Sequence, residues 1–499
     1  MKVVWKTAAC VTVSLACATA VAAFGTIRPT ISAAPGDQPG YRRVVELELT
    51  RTYSADLTAA LTSGDTELAA RAALALGRTK DLRAVRPLSN ASGAPDVALR
   101  VMVVYGYGLL AGKPGVSSGL VLRALSDPAG AVRVAACDAA GRLEAAGAHG
   151  AASLDGRLEA MLGAERDPIV RARAATTLAA WTKAADARGV AARLAAAYGV
   201  ESNPTVRWHE AWALRRAFAT QTPEATVVRG LRDPDETARI QFADLVARRD
   251  RSADAKLLEP LLSDPSWRVR EQAFESMIVL GGGTRTAHLA ALPAAVVTPS
   301  PSPQNTESPL PRSGATGAPH KPAASDLIFA PPLHPTTSAL MDGPMPGPHP
   351  RVRIGTTKGT IVVRLYPEWA PSTVANFLGL VDRGWYDGLR WFRIVPDFVV
   401  QTGDKTNTGE GDAGYTIPAE ESPLEQRAGV ISMGLNYTEG ANPGPIRDSA
   451  GTQFYITLSP QLHLDRDFTV FGEVESGFDT LGRLVESDTM TRVERLPDR

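Results

Sequence analysis

Between residues 126 and 280 one pattern recurs five times: "SDPAGAVRVAACDAAGRL", "RDPIVRARAATTLAAW", "SNPTVRWHEAWALRRAF", "RDPDETARIQFADLVARR" and "SDPSWRVREQAFESMIVL". Its arginines, Arg133, Arg171, Arg207, Arg239 and Arg270, stand 31 to 38 residues apart, and fainter copies surround Arg71 and Arg100. A fixed period of this length excludes a single closed core and requires stacked units. Asp or Asn before Pro places an N-cap acceptor ahead of a residue tolerated only in the first helical turn, so a helix is expected to begin at each Asp/Asn-Pro pair. Within the units apolar residues keep the helical period, as in Val170, Ala174, Leu178 and Trp181, or Val269, Ala273, Met277 and Leu280. One stripe per helix cannot be buried alone, so neighbouring helices must cover one another.

These units resemble HEAT repeats, the two-helix solenoid family, over residues 40–292. The resemblance implies an all-α solenoid whose extended surface binds a protein partner, without naming it. The repeated arginines read better as an internal ladder with neighbouring acids than as ligand contacts. Trp208 and Trp212, four apart, read as core, and Cys137, in an Ala-rich helical stretch, as a small buried hydrophobe.

Lys+Arg 53 balances Asp+Glu 53. That leaves no basic excess to steer the chain onto nucleic acid, and no nucleic-acid partner is expected. The N-terminus carries Lys2 and Lys6, then a small and apolar run from Thr7 to Ala23 with Ala20-Val21-Ala22 as a cleavage site. Residues 1–23 therefore read as an export signal, which places the protein in a bacterial periplasm or cell envelope. Two alternatives stay open: retention of the segment as an anchor, and lipidation at Cys17, because Leu15-Ala16-Cys17 resembles part of a lipoprotein box with Ser14 in place of the usual aliphatic residue. Membrane attachment is expected only in those cases. Cys10 and Cys17 both lie in this segment, so the cleaved chain keeps Cys137 alone and forms no intrachain disulfide.

From 293 to 350 the composition shifts to 15 prolines in 58 residues, mixed with Ser, Thr, Ala and Gly. No apolar period survives, and the segment reads as a flexible, Pro-stiffened linker. Beyond it, residues 351–499 carry short β-branched and aromatic runs broken by Gly, Asp and Pro, with one helical pattern opening at Pro371-Ser372. Few helices among many short strands suggest a small closed β-barrel. One run, "RWFRIVPDFVVQTGD", sets Arg393 in its most apolar part and ends in Gln401 and Gly403-Asp404.

That run, with "PSTVANFLGLV", "GVISMG" and "TQFYITLSPQLHLDRDFTVFGEV", resembles the cyclophilin family of peptidyl-prolyl cis-trans isomerases, in the family's order and across the whole domain. The resemblance implies a closed β-barrel with flanking helices, and proline-containing polypeptides as substrates. It implies that Arg393 is the catalytic arginine, with Gln401 beside it. It assigns substrate contacts to Phe398, Val399, Gly434, Leu435, Gln453, Tyr455, His463, Leu464 and Phe468, with Leu435 as the backbone partner of the substrate carbonyl. The chemistry agrees. Twisting an Xaa-Pro bond localises the lone pair on the prolyl nitrogen, and a guanidinium aimed there is bound more strongly in the twisted state. Neither metal nor cofactor is needed. His463 stands where many relatives have a tryptophan that contacts cyclosporin, so weak inhibitor binding is expected. The segment 436–451 is longer than the common form and flanks the groove, so it is expected to reshape the subsite upstream of proline. The alternative function is a non-catalytic, proline-binding scaffold.

Overall fold

The computed structural model describes residues 39–147, 151–179, 187–281, 349–438 and 444–497. The expected export signal with Cys17, and all but the end of the linker, lie outside them. Two compact units divide the chain, Leu61–Ser302, and Met1–Ala60 together with Pro303–Arg499.

In the first unit, the helices Thr66–Arg78, Val97–Leu109, Gly130–Ala145, Pro168–Leu178, Pro204–Ala217, Glu236–Arg248 and Trp267–Gly281 pack each on the next. Small residues allow this close approach. A Cβ on Gly77 would stand 2.5 Å from the Gly106 Cα, so these two helices cross with bare backbone in contact. Cys137, Trp208 and Trp212 are buried in this core. Burial pushes the Cys137 thiol far above its ordinary range, which removes it from thiolate chemistry.

The arginines form a ladder. Each donates Nη1 to carbonyls of the turn before its own helix, as Arg133 does to Asp127 and Pro128 and Arg239 does to Asp233 and Pro234. Nε and Nη2 then fork onto the carboxylate of the following turn, joining Arg100 to Asp127, Arg133 to Glu165, Arg171 to Glu201, Arg207 to Asp233 and Arg239 to Asp264. Each carboxylate also receives the backbone N–H two residues on, from Ala129, Asp167, Asn203, Asp235 and Ser266. Burial alone would raise the Glu201 pKa, but the Arg171 fork and the backbone N–H groups of Asn203 and Ser202 together outweigh it and hold the carboxyl below the usual range.

This bonding corrects the expected helix starts. Asp167 and Asn203 do cap helices that open on Pro168 and Pro204. Asp127, Asp233 and Asp264 do not: their helices begin later, at Gly130, Glu236 and Trp267. The ladder fixes the register instead. Its acid always lies six residues before an arginine, and is Asp of Asp-Pro in three turns but Glu165 or Glu201, two residues ahead of the cap, in the other two.

Glu210 breaks the pattern. It is 0 % exposed, in a helix face that other units fill with Ala, Val or Phe, and neither carboxylate oxygen has a hydrogen-bond partner among the described residues. Burial, with Glu201 adding and Arg171 and Arg207 opposing, pushes its pKa up to about 9. The folded chain therefore keeps a proton that the unfolded chain releases near the ordinary carboxylate value.

The second unit centres on one curled, eight-stranded antiparallel sheet. Its strands are β1 Arg351–Thr356, β2 Gly359–Leu365, β3 Arg393–Val395, β4 Val399–Thr402, β5 Val430–Met433, β6 Phe454–Thr457, β7 Val470–Ser476 and β8 Met490–Leu496. They run in the order β3-β4-β6-β5-β7-β2-β1-β8. A closed barrel was expected; among the described residues the edge strands β3 and β8 share no ladder. Their ends are linked by an isolated bridge between Arg390 and Thr489, flanked by N–H donations from Trp391 to Asp488 and from Met490 to Leu389. The helix Pro371–Asp382 covers the core with Val374, Phe377, Leu378 and Val381.

Arg239→Ala should lower the stability of the helical unit by on the order of 3 kcal/mol, because it leaves Asp264 without its fork, and thermal unfolding of the full chain would read this out. Glu210→Gln should unfold like the parent near pH 5 but at higher temperature than the parent near pH 9, since the parent alone loses stability as pH rises from the carboxylate range through about 9.

Candidate active site

Strand alternation separates two apolar clusters. Val400 on β4, Ile431 and Met433 on β5, and Phe454 and Ile456 on β6 face the main core. The opposite face carries Val399 and Tyr455, which form a second cluster with Leu464 and Phe468, and Phe398 and Leu435 pack against it. Register then aligns one rank across four strands: Arg393 pairs with Gln401, Gln401 with Tyr455, and Tyr455 with Ser432. Arg393 thus lies among apolar neighbours in sequence because Ile394 turns inward to the core, while the arginine itself turns outward beside the second cluster.

Arg393 is half-buried, and its Nη1 donates to Gln401 Oε1 at 3.2 Å. Its guanidinium sits 5.4 Å from the Phe398 ring centroid, a cation–π distance. Burial lowers the arginine's pKa and Tyr437 acts the other way, but a guanidinium remains charged at neutral pH. Among the described residues this is its one hydrogen bond, which leaves donors free for a ligand. Tyr455 and Phe468 meet edge to face at 5.7 Å, and His463, exposed after the short turn at Leu462, stacks on Phe398 at 5.7 Å and 15°.

Gly434 and Gln453 join the same site. Gly434 N–H donates to the Gln453 carbonyl at 2.8 Å, and Gln401 Nε2 donates to Gln453 Oε1 at 3.1 Å. Neither the N–H nor the carbonyl of Leu435 takes part in a backbone hydrogen bond among the described residues. All the residues expected at the site therefore lie within one continuous patch around the second cluster. Sequence reasoning singled out the segment 436–451 but missed Tyr437 in it. That ring is 51 % exposed, lies 6.5 Å from Phe468 and is close enough to Arg393 to feel its charge. The signal was an aromatic opening an otherwise polar insertion.

A sequence profile described as "Cyclophilin type peptidyl-prolyl cis-trans isomerase/CLD" matches residues 351–498. Peptidyl-prolyl cis-trans isomerase B of Bacillus subtilis is 43% identical over 135 residues, covering 27% of this chain and 88% of that protein. The chain belongs to the cyclophilin family. Peptidyl-prolyl cis-trans isomerase-like 1 of Aspergillus fumigatus is 42% identical over 129 residues, 26% of this chain and 78% of the relative. A solved cyclophilin of Cryptosporidium parvum aligns over 99% of its own length and 30% of this chain, at 25% identity and a TM-score of 0.28. The profile match and the identity to the Bacillus subtilis isomerase make residues 351–498 a cyclophilin-type peptidyl-prolyl cis-trans isomerase domain, preceded by a helical region outside the profile match.

In this cyclophilin domain the exposed imidazole of His463 offers less apolar area over Phe398 than an indole would. His463→Trp should tighten cyclosporin binding by about tenfold or more in a calorimetric titration; an unchanged Kd would mean that position 463 does not reach the inhibitor.

Proposed function

We propose that the chain is an exported isomerase in which HEAT-like repeats hold a client protein while the tethered cyclophilin domain turns over its Xaa-Pro bonds. The catalytic part rests on one observation: the charged, singly bonded Arg393 stands in the same rank as Gln401 and Tyr455, against the apolar cluster of Val399, Tyr455, Leu464 and Phe468. Val399, Tyr455, Leu464 and Phe468 would grip the ring by apolar contact. Gln401 orients the guanidinium, whose remaining N–H groups would meet the prolyl nitrogen as its lone pair localises. Leu435 would bind the substrate carbonyl through its backbone, and Gly434 lets the chain pass close to Gln453.

The repeat reading is supported by the 31- to 38-residue spacing of the ladder arginines and by helices that pack in chain order. In this reading residues 40–292 are the solenoid, 293–350 a linker, and 351–499 a closed barrel completed through the Arg390–Thr489 bridge. A long Pro-rich tether keeps a bound client at high effective concentration near the groove without fixing its orientation. The apolar run at Thr7–Ala23 supports export to a bacterial cell envelope.

The test is isomerisation of Xaa-Pro peptides by the full-length protein and by Arg393→Ala. Loss of about a hundredfold or more in kcat/KM, with folding intact, is the expected result. A folded parent without catalysis, still binding proline peptides, would make the protein a scaffold rather than an enzyme.

A further inference from the structure

The run that holds Arg393 ends in Asp404, a carboxylate that is 0 % exposed and lies outside the substrate patch. It closes a tight loop on itself. Oδ1 accepts from Thr406 N–H at 2.7 Å, and Oδ2 accepts from the N–H groups of Thr408 and Gly409 at 2.9 and 2.7 Å. The Thr406 hydroxyl adds a further donor at 2.8 Å. Burial alone would raise the carboxyl's pKa, but these donors outweigh it and hold the group below its ordinary value.

The loop so fixed aims two carbonyls at one side chain. Gly409 and Gly411 both accept from Gln453 Nε2, each at 2.9 Å. An amide nitrogen with both hydrogens donated leaves only its oxygen for the other side. Gln453 Oε1 accordingly faces Gln401 and takes its Nε2 hydrogen at 3.1 Å, which turns Gln401 Oε1 toward Arg393 Nη1. Neither amide can flip without setting donor against donor. The polarity of the whole chain therefore begins at the loop carbonyls and ends at the guanidinium. The loop also has no slack: a Cβ on Gly411 would fall 1.9 Å from Asp404 Oδ1.

We propose that Asp404 is a positioning residue for Arg393, acting through the Gly409 and Gly411 carbonyls, Gln453 and Gln401 to set the angle at which the guanidinium meets the prolyl nitrogen. The inference rests on Arg393 being the transition-state donor. Misaiming a catalytic group costs turnover more than binding, so the effect belongs in kcat.

The experiment measures kcat and KM on an Ala-Pro-containing tetrapeptide for full-length protein carrying Asp404→Asn, Arg393→Ala, or both. Asp404→Asn is expected to lower kcat by about tenfold with KM nearly unchanged, and to add no further loss once Arg393 is alanine. An equal loss in both backgrounds, or none in either while Arg393→Ala is slow, would overturn the relay alone. An Arg393→Ala chain as fast as the parent would overturn the reading beneath it. If near-UV circular dichroism shows Asp404→Asn unfolded, Gly411→Ala, which displaces the same carboxylate and carbonyl, takes its place in the cycle, and the same results support or overturn the relay.

Discussion

A guanidinium offers five N–H donors in one rigid plane, and what those donors meet governs both halves of this protein. Along the ladder of the helical unit, from Arg100 to Arg239, both edges of the plane are engaged. One edge of each ladder arginine satisfies carbonyls of the turn before its own helix, while the other forks onto the acid of the next turn. Turns otherwise expose backbone groups that helices satisfy internally, and burying them without partners is costly. The ladder removes that cost along one seam and locks the start of each helix to the next. Arg393 is the counter-case: one donor is held by Gln401, and the others meet no acceptor among the described residues.

The apolar patch beside Arg393 follows from the period of two in the strands. Alternate residues of β4 and β6 build the main core of the curled sheet, and the residues between them build a second apolar cluster on the outer face. A strand buried on both sides has no polar face to give away, and β5 and β6 are buried at every position. A charge can enter such a wall only at its edge, and β3 is an edge strand. This is why the arginine is reached from solvent while the tyrosine beside it in the rank is covered.

Much of this was legible beforehand. The recurrence of Arg133, Arg171, Arg207, Arg239 and Arg270 gave the stacked helices and the ladder, because both depend on local period and charge. The residues around Arg393 gave the catalytic domain through several motifs in family order. Helix starts misread the Asp-Pro pairs because two acids compete in each turn, and only tertiary pairing reveals which one caps and which one receives an arginine. Glu210 was illegible for the same reason: on a helix surface a glutamate is ordinary, and its cost appears only when neighbouring helices close over it. Asp404 and Tyr437 were missed because each acts across a loop whose path no periodic signal describes, although the spacing of Thr406 and Thr408 after Asp404 is a turn-forming pattern.

The ladder has a consequence for how such a chain can change its length. Each ladder arginine from Arg100 to Arg239 is bound to an acid of the following turn, and that acid sits at a fixed offset from the arginine of its own turn. Duplicating or deleting one complete unit leaves each surviving arginine opposite an equivalent acid, so the seam heals at the junction. An insertion of one or two residues between acid and arginine instead breaks the seam on both sides at once. Growth and shrinkage of the helical part are thereby quantised, and the number of units can drift while the geometry of each is held constant.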